Sequence, residues 1–259
     1  MGNAKPESIL GPDDPPPFRW EGGDRARHLL LVCDHAGRAF PRAMGMLGLP
    51  VEAQTRHIAW DLGAARLTQE LAARLAAPAI LSTYSRLVAD CNRAPDHPTF
   101  CSPRGDGHRI PGNENLTAEM IAIRHRDIHA PYHEAIRARL DRFGSATPSA
   151  VISVHSFTPV LNGRARPWTA GVLWDADGRL AVPLLEALRK TGVGRIGDNE
   201  PYSGHLPADY TLHRHGAQRG LLHVSLEIRQ DELLTPAGVS RWAGVLAATL
   251  EPLLTREGV

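Results

Sequence analysis

The chain has 259 residues, which is enough for one large domain or two small ones with a substantial buried core. Apolar residues make up 42% of the chain and charged residues 22%, a composition that excludes extensive disorder. Because 29 Lys and Arg residues are balanced by 28 Asp and Glu residues, the net charge is only +1, and we expect no nucleic-acid partner.

Cysteine usage and hydrophobicity predict a cytoplasmic protein. Cys33, Cys91 and Cys101 are too few for a disulfide framework and fit no CxxC motif, which favours a reducing compartment. The N-terminal segment lacks the apolar stretch of a signal peptide, and no apolar run reaches the roughly 18 residues that span a membrane. We therefore expect no membrane association, and the sequence leaves the oligomeric state open.

Taken in chain order, the predicted elements alternate between strands and helices. The Pro-rich residues 1–25 are predicted to form an extended N-terminal arm, and residues 26–259 a single domain. Short apolar runs predict strands at 28–33, 79–85, 87–91, 150–157, 170–175 and 221–229. Helical spacing of apolar residues predicts helices at 51–77, 117–143, 179–190 and 236–256. Segments without periodicity predict loops at 94–116, 158–169 and, for the most part, 192–219. The alternation is typical of an α/β fold with a mainly parallel sheet.

Polar side chains at the ends of the predicted strands are the candidate functional residues, because ligands of open α/β sheets bind beyond the carboxyl ends of the strands. His35 follows the first strand, His155 lies in a later one, and Glu227 lies in the last. Two histidines and a carboxylate can form a metal-hydrolase site, in which the ion keeps one position for water. Taken singly, each histidine is more often structural, and Glu227 could instead form a salt bridge.

Three histidines spaced four residues apart lie in the predicted helix 117–143. His125 shares an apolar stripe with Ile121 and Ile128, so His125, His129 and His133 are predicted to pack against the core. Because two histidines at positions i and i+4 can share a metal ion, a second metal site stays an alternative.

Other catalytic classes find less support in the sequence. The chain contains no GxSxG motif of a serine hydrolase and no Gly-rich phosphate loop. A cysteine nucleophile could be Cys91, but this residue ends an apolar run, where a free cysteine is commonly inert.

Seven segments together resemble the N-formylglutamate amidohydrolase family, particularly its predicted bacterial members. In chain order they are VCDHAG (32–37), RHIAWDLGA (56–64), YSRLVADCNR (84–93), PYH (131–133), SVHSF (153–157), NEPYSG (199–204) and LEIRQD (226–231). The resemblance covers roughly 200 residues and implies a three-layer α/β fold with a mixed, mainly parallel sheet flanked by helices, similar to zinc carboxypeptidases and aspartoacylases.

The resemblance also implies one catalytic zinc ion, although another divalent metal stays possible. His35 and His155 would be ligands. The relatives take a further ligand from a Glu three residues after the first His; here that position is Arg38, so Asp61 is the best substitute. Glu227 would match the general base.

The remaining matched residues imply a substrate that carries carboxylates. Arg86 would polarise the scissile carbonyl, and the pair Asn92 and Arg93 would hold a substrate carboxylate. Arg164 would add a second carboxylate contact.

The implied reaction is hydrolysis of N-formyl-L-glutamate, a small-molecule substrate, to formate and glutamate by the single catalytic domain of residues 26–259. The sequence leaves open an amidohydrolase that acts on another N-acyl amino acid or small peptide. It also leaves open a binding protein of this fold without turnover, and a cysteine-dependent amidase.

Overall fold

The computed structural model describes residues 8–22, 28–144, 148–204 and 209–259. Its strands are β1 (Phe18–Glu21), β2 (Leu29–Cys33), β3 (Ala79–Ser82), β4 (Arg104–Gly105), β5 (His108–Arg109), β6 (Ala150–Phe157), β7 (Val160–Leu161), β8 (Arg164–Ala165), β9 (Ala170–Leu173), β10 (Ile196–Asp198) and β11 (Leu222–Arg229). Its α-helices are α1 (Ala64–Leu75), α2 (Ala118–Arg124), α3 (Ala130–Asp141), α4 (Ala181–Lys190), α5 (Tyr210–His215) and α6 (Pro236–Arg256). In the described ranges, no helix is both long and apolar enough to cross a membrane.

A seven-stranded mixed sheet forms the centre of the molecule, in the order β1-β3-β2-β6-β11-β9-β10. The four central strands β3, β2, β6 and β11 are parallel, whereas β1 and β9 run antiparallel to their neighbours in this core. The long strands β6 and β11 pair over their full length, from Ala150 opposite Leu222 to Phe157 opposite Arg229. The predicted α/β fold with a mixed, mainly parallel sheet and flanking helices is confirmed.

Side chains alternate between the two faces of the sheet, and each face carries its own core. In β2, Leu29, Leu31 and Cys33 belong to one core, while Leu30 and Val32 belong to the other, as the two-residue period of a strand requires. The first core is closed by α1, α4 and α6, and the second by α3 and the loops around it. Burial on both faces explains why the central strands appear in the sequence as continuous apolar runs.

The predicted strand at 87–91 is wrong, because side chains take the backbone groups that a sheet would use. The Leu87 carbonyl accepts a hydrogen bond from the Asn113 side chain at 2.8 Å, and the Val88 carbonyl accepts one from Arg124 at 3.1 Å. Arg124 is buried and also donates to Asn113 at 2.6 Å. This segment is therefore a buried loop, which an apolar run by itself does not distinguish from a strand.

Two predicted helices are interrupted, and the predicted loops 94–116, 158–169 and 192–219 contain short strands and the helix α5. The predicted helix at 51–77 divides into a 3-10 turn at Val51–Thr55 and α1. The predicted helix at 117–143 is observed as α2 and α3, joined by a π-helical turn at His125–His129.

The N-terminal segment contributes an edge strand. β1 pairs antiparallel with β3, and the Tyr84 hydroxyl donates to the Pro15 carbonyl at 2.6 Å. The predicted arm at 1–25 thus includes a strand of the sheet, and its residues 1–7 and 23–25 lie outside the described residues. The division into this arm and a single domain at 26–259 stays a prediction.

Gly37 allows the chain after β2 to cross close to the end of β3. A Cβ atom at Gly37 would lie 1.9 Å from the Thr83 carbonyl oxygen, which is backbone and cannot move aside. Next to this close approach, the Ala39 backbone N–H donates a hydrogen bond to the same oxygen at 3.2 Å.

We expect Gly37→Ala to lower the free energy of unfolding by at least about 2 kcal/mol, since the new methyl group overlaps with backbone. The control is Gly244→Ala in α6, where a Cβ atom would lie 3.9 Å from the end of the Arg74 side chain. That variant is expected to gain up to about 1 kcal/mol from helix propensity. Urea unfolding of both variants checks this; equal stabilities would contradict the close approach at Gly37.

Candidate active site and metal centre

The candidate site lies at the carboxyl ends of the parallel strands, in a cavity of about 950 Å³. His35 follows β2, whereas His155 and Glu227 lie near the ends of β6 and β11, where the strand register sets them opposite each other. Asp61, just before α1, reaches the same place because its backbone N–H donates to the His35 carbonyl at 3.0 Å. The structure therefore brings these four predicted site residues together.

His35, Asp61 and His155 form a buried group whose ligand atoms all lie within 4.8 Å of one another. Asp61 Oδ2 lies 2.9 Å from His155 Nδ1 and 3.4 Å from His35 Nδ1. Two ligands of a tetrahedral zinc ion, each at roughly 2.0–2.1 Å, are separated by about 3.3 Å. The spacing of the three side chains is therefore close to what one ion requires.

The outer nitrogen of each histidine is directed at an acidic or hydroxyl group. His35 Nε2 lies 2.7 Å from Asp90 Oδ1. His155 Nε2 lies 2.9 Å from Ser153 Oγ and 3.5 Å from Asp34 Oδ2. Metal-binding histidines commonly have such partners, which fix the ring orientation and leave the other nitrogen for the ion.

The acidic surroundings dominate the titration of the buried group. Burial by itself raises the pKa of Asp61, but the charge of His35 and a hydrogen bond from His155 hold that pKa below its usual value. Burial lowers the pKa of His155, yet hydrogen bonds with Asp34 and Asp61 outweigh it and keep the pKa well above normal. The centre thus favours positive charge.

These residues fit a bound divalent cation. His35 Nδ1 is buried and has no hydrogen-bond partner within the part of the chain that the structure describes. Two imidazoles and one carboxylate are a common ligand set for catalytic zinc, with a further position left for water or substrate. Arg38, which stands where the relatives carry a Glu, is exposed and lies over the Trp60 ring instead.

Glu227 provides a second unpartnered atom beside this group. The residue is buried, and its Oε2 atom lacks a hydrogen-bond partner among the described residues. Burial raises the pKa of Glu227 to about 7. A carboxyl group that exchanges its proton near neutral pH is suited to general acid–base chemistry. In the ranges that the structure describes, Glu227 does not form the salt bridge to an arginine that the sequence left open.

Arg86 lines the cavity between two of the carboxylates. Its Nη2 atom lies 2.9 Å from Asp90 Oδ2, and its Nη1 atom lies 3.8 Å from Asp61 Oδ1. Burial lowers the pKa of Arg86, but the charges of Asp90 and Asp61 outweigh burial and raise the pKa above its usual value, so the guanidinium stays charged. Asp90 holds this guanidinium and His35 at the same time.

Asn92 and Arg93 also line the cavity. The Asn92 backbone N–H donates to Asp90 Oδ1 at 2.9 Å, and Asn92 Oδ1 accepts from the Thr211 backbone N–H at 3.1 Å. The side-chain oxygen is therefore used, and the amide nitrogen is what Asn92 offers to a ligand. Arg93 donates to the Asn92 carbonyl at 2.7 Å, which folds the guanidinium back along its own loop.

Arg164 is not brought to the site. It lies exposed in the β7–β8 hairpin and is not among the residues that line the cavity. Two residues further on, Arg166 is buried and donates to the Tyr202 hydroxyl at 2.9 Å. Tyr202 lines the cavity, and the Arg166 guanidinium lies over its ring, 4.7 Å from the centroid, without lining the cavity itself.

Asp34, Asp90 and Ser153 are site residues to which the sequence assigned no role. Asp34 and Asp90 stand out in sequence only as acidic residues after apolar runs, and Ser153 as the first residue of SVHSF. Nothing in the sequence pairs Asp34 and Asp90 with a particular histidine, because Asp90 lies 55 positions from His35 along the chain and Asp34 still further from His155.

Cys91 is unsuited to act as a nucleophile. The side chain is buried, and burial raises the pKa of its thiol well above the usual value. The thiolate form that a cysteine-dependent amidase needs is therefore disfavoured.

Comparisons with known proteins show which family and which solved structures the chain resembles. The family model of N-formylglutamate amidohydrolase matches residues 27–234. A gene product of Agrobacterium tumefaciens is 30% identical, with a TM-score of 0.91 over 96% of this chain and 98% of that chain. An N-formylglutamate amidohydrolase from Ralstonia eutropha JMP134 is 18% identical, with a TM-score of 0.66 over 93% of this chain and 98% of that one. A comparison with curated proteins finds no match.

Proposed function

Because the chain belongs to the N-formylglutamate amidohydrolase family, a family of hydrolases that act on amide bonds, we propose that it cleaves N-formyl-L-glutamate to formate and glutamate with a bound zinc ion. One observation carries the proposal: the buried group of His35, Asp61 and His155 lies beside Glu227, whose carboxylate has an atom without a partner among the described residues. The activity named for the Ralstonia eutropha protein, which has the same fold, supports the choice of substrate.

Zinc held by His35, Asp61 and His155 would supply Lewis-acid activation of a water molecule. Glu227 would take the proton of the attacking water at Oε2. The pKa of about 7 means that a substantial fraction of Glu227 is ionised at neutral pH and can accept that proton. The protonated Glu227 would then donate to the nitrogen of the leaving amine.

Arg86 would stabilise the negative charge that develops on the formyl oxygen. Its guanidinium is fixed by Asp90 and Asp61, so little reorganisation is needed when that charge appears. A charged donor held in place in this way contributes to catalysis on the order of a few kcal/mol.

Asn92 and Arg93 would hold a carboxylate of the substrate. The amide nitrogen of Asn92 and the planar guanidinium of Arg93 are adjacent in sequence and line the same cavity. A guanidinium recognises a carboxylate through two parallel hydrogen bonds, which favours substrates that carry this group.

A second candidate function is hydrolysis of a larger N-acyl amino acid or a short peptide. The cavity volume of about 950 Å³ supports it, since cavities of roughly 300–1,000 Å³ commonly enclose drug-sized ligands, which are larger than N-formylglutamate. The catalytic residues would be the same. A panel of N-formyl, N-acetyl and dipeptide substrates separates the two candidates by their kcat/KM values.

Removal of the metal is expected to abolish formate release from N-formyl-L-glutamate, and added zinc to restore it. His155→Ala is expected to weaken zinc affinity on the order of a hundredfold or more, because loss of an outer partner alone costs 10–100-fold. Zinc content after dialysis and formate release provide the measurements. His213→Ala, which removes an exposed histidine, serves as the control. Full zinc occupancy in His155→Ala would remove His155 from the ligand set.

Replacement of Glu227 with Gln is expected to leave zinc bound and to lower kcat by roughly a hundredfold to ten-thousandfold, since the amide cannot accept the proton. Steady-state formate release together with zinc content checks this. The matched control is Glu52→Gln, at an exposed carboxylate that does not line the cavity. Near-normal turnover of the Glu227→Gln variant would refute the assignment of the base.

Arg93→Lys is expected to raise KM for N-formyl-L-glutamate roughly 10–100-fold, because one bond to a charged group is worth roughly 1.5–3 kcal/mol. The penalty should shrink for substrates in which an amide replaces the carboxylate that Arg93 binds. Arg164→Lys is the control and is expected to behave like wild type, because Arg164 lies outside the cavity lining. If Arg164→Lys alone raised KM, the carboxylate site would lie at the β7–β8 hairpin instead.

A further inference from the structure

Two buried histidines donate hydrogen bonds to the backbone carbonyls on either side of Asn92. His133 Nε2 lies 2.8 Å from the Cys91 carbonyl oxygen, and His129 Nε2 lies 3.0 Å from the Arg93 carbonyl oxygen. Both imidazoles are buried, and their ring centroids are 4.2 Å apart. The helix that carries them is thus bonded to the loop that presents Asn92 and Arg93.

The hydrogen-bond partners determine which nitrogen carries the proton. A carbonyl only accepts, so Nε2 of His129 and Nε2 of His133 must both be protonated. His133 Nδ1 is then the acceptor for His215 Nε2, at 2.9 Å. The His133 and His215 rings are stacked, with an angle of 9° between their planes. His215 therefore orients His133, and His133 orients the Cys91 carbonyl.

The charge state of the cluster is compatible with this arrangement. Burial lowers the pKa of His133 well below its usual value, and lowers that of His129 and of His215 to about 4. At neutral pH the rings are neutral, so each can donate from one nitrogen and accept at the other. Among the described residues, the group of His, Cys, Asp and Glu side chains close enough to hold a metal ion is that of His35, Asp61 and His155, and it does not include the histidines of this cluster. The described residues therefore do not support the alternative of a second metal ion bound by His125, His129 and His133.

The local fold explains why the two histidines can reach two successive carbonyls. His129 ends the π-helical turn between α2 and α3, and His133 lies one turn later on α3. Four-residue spacing places both rings on one helix face. Insertion of a π-helical turn is frequent near functional sites, where it redirects side chains.

We propose that His129 and His133 are positioning residues for the substrate carboxylate: they clamp the Cys91–Arg93 backbone so that Asn92 and Arg93 are held ready for the ligand. The inference rests on the proposed function. Removal of His129 takes a donor from the Arg93 carbonyl, and removal of His133 leaves the Cys91 carbonyl with the longer contact from Thr211 Oγ1 at 3.4 Å. Because Asp90 and Thr211 also restrain Asn92, we expect the loop to stay folded in either variant.

The test compares a variant that removes the donor with one that keeps it. Leu at position 129 or 133 keeps an apolar side chain but has no donor, whereas Gln can place its Nε2 where the imidazole Nε2 lies. We expect His129→Leu and His133→Leu to raise KM for N-formyl-L-glutamate at least tenfold, with kcat within threefold and zinc content unchanged. His129→Gln and His133→Gln should recover KM to within threefold of wild type. The control His125→Leu, from the same stripe and half-buried, should leave both constants unchanged.

Two further measurements report ligand binding and the order of the loop separately from turnover. The dissociation constant of N-formyl-L-glutamate, measured by calorimetry in the zinc-loaded Glu227→Gln background, reports binding without turnover. Hydrogen exchange of the backbone amides at 90–94 reports how firmly the loop is held without any ligand. Faster exchange and weaker binding in the Leu variants, both reversed in the Gln variants, support the proposal.

Equal losses of kcat and zinc, or failure of Gln to rescue, would overturn the positioning role while leaving the amidohydrolase function standing. A wild-type protein that binds N-formyl-L-glutamate without cleaving it would refute the proposed function. In that case the dissociation constants would still decide the role of the two histidines. If wild type neither binds nor cleaves, the carboxylate site and its positioning residues are refuted together.

Discussion

The parallel register of β2, β6 and β11 is the constraint on which the site depends. Pairing of β6 with β11 sets His155 opposite Glu227, and pairing of β2 with β6 brings the chain that carries His35 to the same edge. A shift of one residue in either pair would turn a functional side chain to the opposite face of the sheet. Continuous apolar burial on both faces of these strands stabilises this register over a long stretch.

Burial of so many charged groups in one place is tolerated because several of them share partners. Asp90 accepts hydrogen bonds from His35, from Arg86 and from the Asn92 backbone, so one carboxylate joins the proposed metal centre, the proposed oxyanion donor and the proposed carboxylate site. Two of the buried atoms that lack a hydrogen-bond partner in the described ranges, His35 Nδ1 and Glu227 Oε2, belong to residues that line the cavity where the chemistry is proposed. A buried polar atom without a hydrogen bond is costly, which is the physical reason to assign these two to an ion and to a reacting proton.

The second core of the protein acts as a support for the site as well as a source of stability. Asn113 donates to the Leu87 carbonyl and Arg124 to the Val88 carbonyl. His129, at the end of the π-helical turn, donates to the Arg93 carbonyl, and His133, on α3, donates to the Cys91 carbonyl. The loop from 84 to 93 is therefore held by side chains along most of its length. Loops that carry binding residues are usually less ordered than strands, and side-chain bonds of this kind compensate for the missing sheet.

The sequence by itself determined the fold class, the limits of the long strands β6 and β11, and which residue types are available to bind a metal ion or transfer a proton. Apolar periodicity and residue type are local properties, so they can be read without the structure. His35, Asp61, His155 and Glu227 could be chosen on the resemblance, and the structure brings them together. The tertiary structure alone decided which carboxylate accompanies which histidine and that LVADC is a loop. It also decided that Arg164 lies exposed outside the cavity lining, whereas Arg166 is buried against Tyr202. These features depend on contacts between residues far apart in the chain, and a local pattern carries no information about which distant donor will take a given carbonyl.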